Sequence, residues 1–277
     1  MERTTDNHPA PRLTVMFRIP WDNWNLIKQM SKRAIVGRYR GSIIGLAWTL
    51  LYPILMLSVY TFVFSVIFNA RWPNLGQSRF EFATVLFAGM IIHALFAECL
   101  VTSPGLIVGN TQYVKKVVFP LEILPWVTIC NALFQALMST TVLLIFLACI
   151  HFKINWTVVL IPFVIAPLVI LAVGVSWYLA SIGVFIRDVG QVAAILATVL
   201  LFLSPIFYSV DALPEAFRSY IYVNPLTFII EQFRAVVIWG KAPNWVGLAV
   251  YACISTVVAW SGLAWFQRTR RGFADVL

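Results

Sequence analysis

The chain has 277 residues, of which 61% are hydrophobic and only 11% charged, against about 25% charged in an ordinary soluble domain. That deficit excludes a soluble globular protein and points to an integral membrane protein. The net charge of +9 would suggest a nucleic-acid partner in a soluble chain; in a membrane chain it reflects the bias of basic residues toward the cytoplasm, and no nucleic acid is expected.

Residues 1–42 are polar and basic and contain no signal-peptide apolar core. Within them, "WDNWNLIKQMSKRAIVGRYRGS" (21–42) is amphipathic. At about 100° per residue, Trp24, Ile27, Met30, Ala34 and Ile35 share one face and Asp22, Lys28, Gln29, Lys32 and Arg33 the other. This is the pattern of a helix lying in the membrane interface. The alternative, a helix packed on a soluble core, has no soluble stretch long enough to receive it.

Apolar stretches such as "ALMSTTVLLIFLACI" (136–150) lack the alternation of barrel strands. The spans are therefore read as helices, which satisfy their own backbone amides in lipid. Six are predicted, at 43–68, 82–109, 125–150, 157–183, 189–209 and 244–266, followed by a tail at 267–277. The first two exceed the ~20 residues a crossing needs, so they tilt or extend beyond the lipid. An even number puts both ends on one side. With the ends inside, fourteen lysines and arginines fall on inner segments and six on outer ones, so both termini are expected in the cytoplasm.

Near the inner ends of the first two spans, Gly41–Gly45 and Gly105–Gly109 form GxxxG pairs that permit close helix packing. Glu98 lies inside the second span, where a carboxylate must pair, face a polar interior or be protonated. Pairing within the bundle is the favoured reading; a proton-coupled carrier is the rival. The loop "NTQYVKKVVFPLEILP" (110–125) then falls on the cytoplasmic side, and Arg187-Asp188 forms either a solvated turn or a partner contact.

The outer stretch 210–243 is patterned. Pro214 opens a short helix in "LPEAFRSYIY". Asn224 is a helix N-cap, Pro225 takes the first helical position, and Gly240 follows the end. Leu226, Ile229, Phe233 and Val236 or Val237 share a face, and Glu231 and Arg234 are spaced to pair. These are read as outer re-entrant or interfacial helices lining an exit. Mid-span tyrosines such as Tyr60 offer a ring face and a hydroxyl, which suit sugars.

Catalytic and cofactor signals are missing. Gly240-Lys241 lacks the leading glycine of a phosphate-binding loop, and no HExxH or GxSxG occurs. Cys99, Cys130, Cys149 and Cys253 have no CxxC spacing, and His8, His93 and His151 lie far apart. No cofactor, metal or enzymatic activity is expected in this chain.

The segments "RYRGSIIGLAWTLLYPILMLSVYTFVFSVIF", "YVKKVVFPLEILP", "FIRDVGQV", "LSPIFYSV" and "LPEAFRSYIYVNPLTFIIEQFR" occur in this order. Over residues 21–270 the chain thereby resembles the membrane subunit of ABC-2-type polysaccharide exporters, which include the O-antigen, teichoic acid and capsule permeases. Its Arg-Tyr-Arg-Gly-Ser start is closer to the O-antigen and teichoic acid branch. The resemblance implies a homodimer of six-span subunits in a bacterial inner membrane. Two copies of a separate cytoplasmic ATPase would supply ATP and Mg chemistry, and a channel would carry an undecaprenyl-linked polysaccharide outward. It places ATPase coupling at Tyr113, Lys115, Lys116, Phe119 and Glu122, on a short helix along the membrane, together with Trp24 and Arg38. Tyr113 and Phe119 would enter an apolar cleft of the partner. Channel lining falls to Tyr52, Tyr60, Phe64 and Phe202, and the outer gate to Pro225, Phe228, Glu231 and Arg234. The alternatives are an ABC-2 permease for a drug or simple lipid, and a membrane enzyme acting on lipid-linked sugars through Glu98, Glu122 or Glu231.

Overall fold

A computed structural model describes residues 13–68, 72, 79–115, 119–151, 155–212 and 214–277. Every regular element among them is helical. In chain order these are α1 (Leu13–Asp22), α2 (Trp24–Arg38), α3 (Trp48–Tyr60), α4 (Arg79–Thr102), α5 (Thr111–Val114), α6 (Leu124–His151), α7 (Ile161–Phe185), α8 (Val189–Leu203), α9 (Glu215–Ile221), α10 (Pro225–Val237), α11 (Trp245–Thr269) and α12 (Phe273–Val276). Five helical stretches, Gly45–Phe64, Glu81–Gly105, Leu121–Ile150, Trp156–Phe185 and Trp245–Val276, are long and apolar enough to cross a membrane. The protein is a helical integral membrane protein.

The interfacial face predicted for α2 is only partly used within the chain. Ile27 is fully buried against Ile123 and Val127, and Met30 packs beside it. Trp24 and Ala34 stay exposed. Asn23 joins α1 to α2 by donating from Nδ2 to the Ile19 carbonyl (3.0 Å).

The start of α3 corrects two expectations. The first span was predicted from residue 43, but Gly41 (φ 89°) and Gly45 (φ 58°) are left-handed, so regular helix is delayed to the turn at Gly45–Ala47 and to Trp48. These glycines make the chain turn rather than let helices approach: a Cβ at Gly41, Gly45, Gly105 or Gly109 would meet nothing within 4 Å. The close approaches are elsewhere. A Cβ at Gly174 of α7 would come 2.6 Å from the Cα of Ala259 in α11, and Gly262 faces the Gly174 carbonyl. Gly183 seats the backbone of Pro104. The α7–α11 crossing is therefore backbone against backbone.

The predicted fifth span, 189–209, is shorter than expected as a helix. α8 stops at Leu203, and Ser204 turns extended (ψ 148°) before Pro205, as the ring of a following proline requires. Its 15 residues reach about 22 Å at about 1.5 Å each, less than the ~30 Å hydrocarbon core. The chain then passes through 204–214 to α9 and α10. α4 is the central helix. Leu86, Ile92 and Leu95 on it are buried, and α3, α6, α7, α8 and α10 surround it.

Candidate functional site

The loop expected on the cytoplasmic side begins where α4 ends. Turns at Ser103–Gly105 and Val108–Asn110 lead to the single turn α5. Lys116 lies outside the described residues. Pro120 is extended (ψ 90°) and a 3-10 turn, Leu121–Ile123, enters α6. Of the helix expected across 111–122, the described residues show one turn at Thr111–Val114 and an extended Pro120, whose ring restrains the residue before it and which brings no N–H; residues 116–118 lie outside the described residues. Tyr113 and Phe119 stack on each other, ring centroids 4.3 Å apart at 12°. Each ring covers the other's face, so they bridge the loop instead of projecting as two separate plugs. Lys115 and Gln112 are exposed.

Glu122, expected at the coupling surface, is turned inward and only 8% exposed. Its Oε1 accepts from Arg270 Nη1 at 2.6 Å, and Arg270 Nη2 donates to the Phe119 carbonyl at 3.1 Å. The Glu122 carbonyl accepts from Trp177 Nε1 at 3.1 Å. The C-terminal segment, predicted as a tail at 267–277, is part of this assembly. Phe273 is fully buried between Phe185 (6.0 Å) and Phe266 (5.4 Å), and the Thr269 hydroxyl bonds that of Ser181. Arg270 and Phe273 carried no sequence motif; their only signal was a lone aromatic after a run of basic residues.

Trp24 is 55% exposed. Arg38 forms an ion pair with Glu98, which satisfies the carboxylate inside the second span and gives the paired outcome favoured for it. The pair opens on a crevice of about 340 Å³ that also holds Tyr39, Tyr52, Gln135 and Ser139. Gln135 Nε2 donates to the Tyr39 hydroxyl at 3.0 Å. Tyr52 is 59% exposed and stands apart from the other aromatic candidates.

Phe64 and Phe202 are joined through Phe207 beyond the opposite end of α3, where Tyr60 makes its own ring contact. Tyr60 lies 6.4 Å from Phe87, Phe64 is 5.5 Å from Phe82 and 6.1 Å from Phe207, and Phe207 is 6.0 Å from Phe202. Phe64, in the π-helical stretch Thr61–Ile67 that continues α3, thus joins Phe82 of α4 and, through Phe207, Phe202 of α8 in a ladder of rings, with the Tyr60–Phe87 pair as a second contact between the end of α3 and α4 and Phe202 64% exposed. Phe82 and Phe87 had not been singled out in the sequence. A ladder of this kind offers apolar ring faces along a path rather than one closed pocket.

α9 and α10, expected as outer helices, follow, and α10 is fastened to this end. Asn224 caps α10 by accepting from the Leu226 N–H (2.9 Å), and its Nδ2 donates to Ser204 Oγ (2.9 Å). Leu226, Ile229, Phe233 and Val236 are fully buried, as the periodicity predicts. Phe228 stacks on Tyr251 (6.1 Å, 21°), whose hydroxyl donates to the Pro225 carbonyl at 2.9 Å. The expected Glu231–Arg234 pair forms at 2.9 Å, but Arg234 is wholly buried rather than presented to a passage. Its Nε donates to the Val85 carbonyl (3.1 Å), Nη1 to Pro205 (2.6 Å) and Nη2 to Ile206 (3.2 Å), with its Cζ 4.8 Å over the Trp72 ring. Burial pushes the guanidinium pKa down and the Glu231 carboxylate pushes it back up; arginine stays charged throughout. Gly89 leaves the necessary space, since a Cβ there would stand 3.0 Å from Nη2. The fork thus supplies donors to carbonyls that the break after α8 leaves without helical partners.

Among the described residues no group of three or more His, Cys, Asp or Glu converges as a metal site. Arg187 and Asp188 are exposed in the turn between α7 and α8.

The chain is similar over most of its length to permeases. It is 26% identical over 252 residues to the O-antigen export system permease protein RfbA of Myxococcus xanthus, covering 90% of this chain and 94% of the relative. A Klebsiella pneumoniae O-antigen export system permease protein RfbA is 25% identical over 256 residues, 92% of this chain and 95% of the relative. The polysialic acid transport protein KpsM of Escherichia coli is 26% identical over 245 residues, 86% of this chain and 89% of the relative. Residues 25–238, from the start of α2 to just past α10, match the ABC-2 type transporter family. That stretch carries α2, the α4–α6 loop, the ring ladder and the Arg234 anchor alike, and the chain belongs to the ABC-2 type transporter family.

Proposed function

We propose that this chain is the permease subunit of an ABC transporter that moves a lipid-linked polysaccharide, O-antigen-like and carried on undecaprenyl, out across a bacterial inner membrane. The observation that carries this is the end-to-end similarity to relatives named for O-antigen export and for polysialic acid transport, two different glycans. In this reading the subunit has six spans and cytoplasmic termini, α8 and the non-helical stretch after it making the fifth crossing. Two copies pair, and two copies of a separate ATPase dock beneath them. Exposed Phe202 and the half-buried rings of Tyr60, Phe64 and Phe207 give a hydroxylated polymer apolar faces to slide along without a fixed binding pose.

The clamps suggest how work reaches that path. Tyr113 stacked on Phe119 makes the loop one unit, and Arg270 ties it to α11. A push from the ATPase on Lys115 and its surroundings therefore moves α4, α6 and α11 together as rigid bodies. α4 carries the displacement to its outer end, where Val85 and Gly89 meet Arg234 and so the outer helices. Binding of ATP at one place and movement of glycan at another are then linked through α4.

Deleting the gene tests the substrate. Undecaprenyl-linked glycan should accumulate on the cytoplasmic side, with surface glycan lost and recovered on complementation. Normal surface glycan in the deletion strain, with loss of export of a drug or simple lipid instead, would refute the proposal.

A further inference from the structure

The crevice at the inner end of α4 is unused by either the loop clamp or the outer anchor. It has a volume of about 340 Å³, at the lower end of the about 300–1,000 Å³ of small-molecule sites, so it suits one or two ring units and not a polymer. Glu98 lies four residues before the end of α4, and an ionisable side chain at such depth marks a polar path through a membrane protein.

Its chemistry narrows the ligand. Arg38 and Glu98 cancel each other's charge, leaving no surplus cation for a diphosphate among the residues that line the crevice. The pair is made through Nη2 and Oε1, so on these two crevice-lining side chains it leaves the other carboxylate oxygen and the remaining guanidinium N–H groups as acceptor and donors. Tyr39 accepts from Gln135, which leaves its own O–H and the amide oxygen of Gln135 for a ligand. Tyr52 adds an exposed ring face and Ser139 a hydroxyl. Paired donors and acceptors beside one aromatic face match a neutral, polyhydroxylated ring.

We infer that this crevice is a subsite for a neutral sugar unit of the lipid-linked glycan at the cytoplasmic side, with Tyr52 as the stacking face and Arg38, Glu98, Tyr39 and Gln135 as hydroxyl partners. It rests on the polysaccharide reading above, and it makes Arg38 a substrate contact rather than an ATPase contact.

The test uses the intact permease–ATPase complex in lipid nanodiscs, with the four native cysteines replaced by alanine and Ser139→Cys as reporter. The probe is undecaprenyl diphosphate bearing one N-acetylglucosamine; bare undecaprenyl diphosphate and free N-acetylglucosamine are the comparison arms. The sugar-bearing carrier should slow thiol labelling at least fivefold and the bare carrier much less. Tyr52→Leu should raise the half-protecting concentration on the order of tenfold, with Tyr52→Phe retaining most of the affinity. Equal protection by the bare carrier would overturn the sugar assignment in favour of the diphosphate, and equal loss in the two Tyr52 variants would overturn the stacking role. No protection at Ser139→Cys, while lipid-linked glycan still stimulates ATP hydrolysis by the unmodified complex, would sink the crevice alone. Absence of stimulation by any lipid-linked glycan would instead sink the reading on which it rests.

Discussion

Replacing Arg234 with methionine keeps a long side chain in the cavity but removes all of its donors. The carbonyls of Pro205 and Ile206 lose their donors, while that of Val85 retains its place in α4. Each buried acceptor left unmade costs about 1–3 kcal/mol. The stacking of the cation on Trp72 adds about 0.5–2 kcal/mol, and relief from holding a desolvated charge offsets part of the sum. The net loss should be about 3–5 kcal/mol. Glu231→Gln should cost less than about 1 kcal/mol, because that carboxylate is 34% exposed and water screens it. The assay is hydrogen exchange and thermal unfolding of the purified protein in nanodiscs. Amides at 206–210 should exchange roughly 10²- to 10³-fold faster or more in Arg234→Met, with little change in Glu231→Gln. Similar protection in wild type and Arg234→Met would refute the role given to this residue.

Three further outcomes are expected. Phe273→Ala empties the site between Phe185 and Phe266 and should cost about 3–5 kcal/mol, read as a lowered thermal midpoint; an unchanged midpoint would show the C-terminal helix to be loosely held. Gly174→Val drives a side chain into the backbone of α11 and should abolish the folded monodisperse peak in size-exclusion chromatography, whereas Gly105→Ala, with open space around it, should shift stability by less than about 1 kcal/mol. Lys115→Glu with Lys116→Glu should reduce co-purification of the ATPase at least tenfold once orientation in the membrane is verified; full recovery of the complex would move the coupling surface to other residues.

What could be read from the sequence was local. The cap at Asn224, the proline after it, the buried face of α10 and the Glu231–Arg234 spacing are all set within a few turns of one helix. The extent of α6 also follows from one long, mostly apolar run without a charged residue. What escaped were contacts between distant residues. Arg234 reaches Val85, 149 positions away, and Glu122 meets Arg270 across 148, so neither the anchor nor the clamp leaves a periodic trace. The glycines illustrate the same limit. GxxxG marks where close packing is possible, but Gly41 and Gly45 serve a left-handed turn, while Gly174, Gly183 and Gly262 make the close approaches. The break after α8 was hidden because apolar residues continue on both sides of Ser204-Pro205.

The central claim is that this subunit supplies the path and a different polypeptide supplies the work. The most direct measurement is reconstitution of the purified chain in proteoliposomes, with and without the cognate ATPase, following ATP hydrolysis and glycan movement together. The account predicts neither activity from the chain alone and both when the ATPase is added. ATP turnover or uphill glycan transport by the lone chain would contradict it.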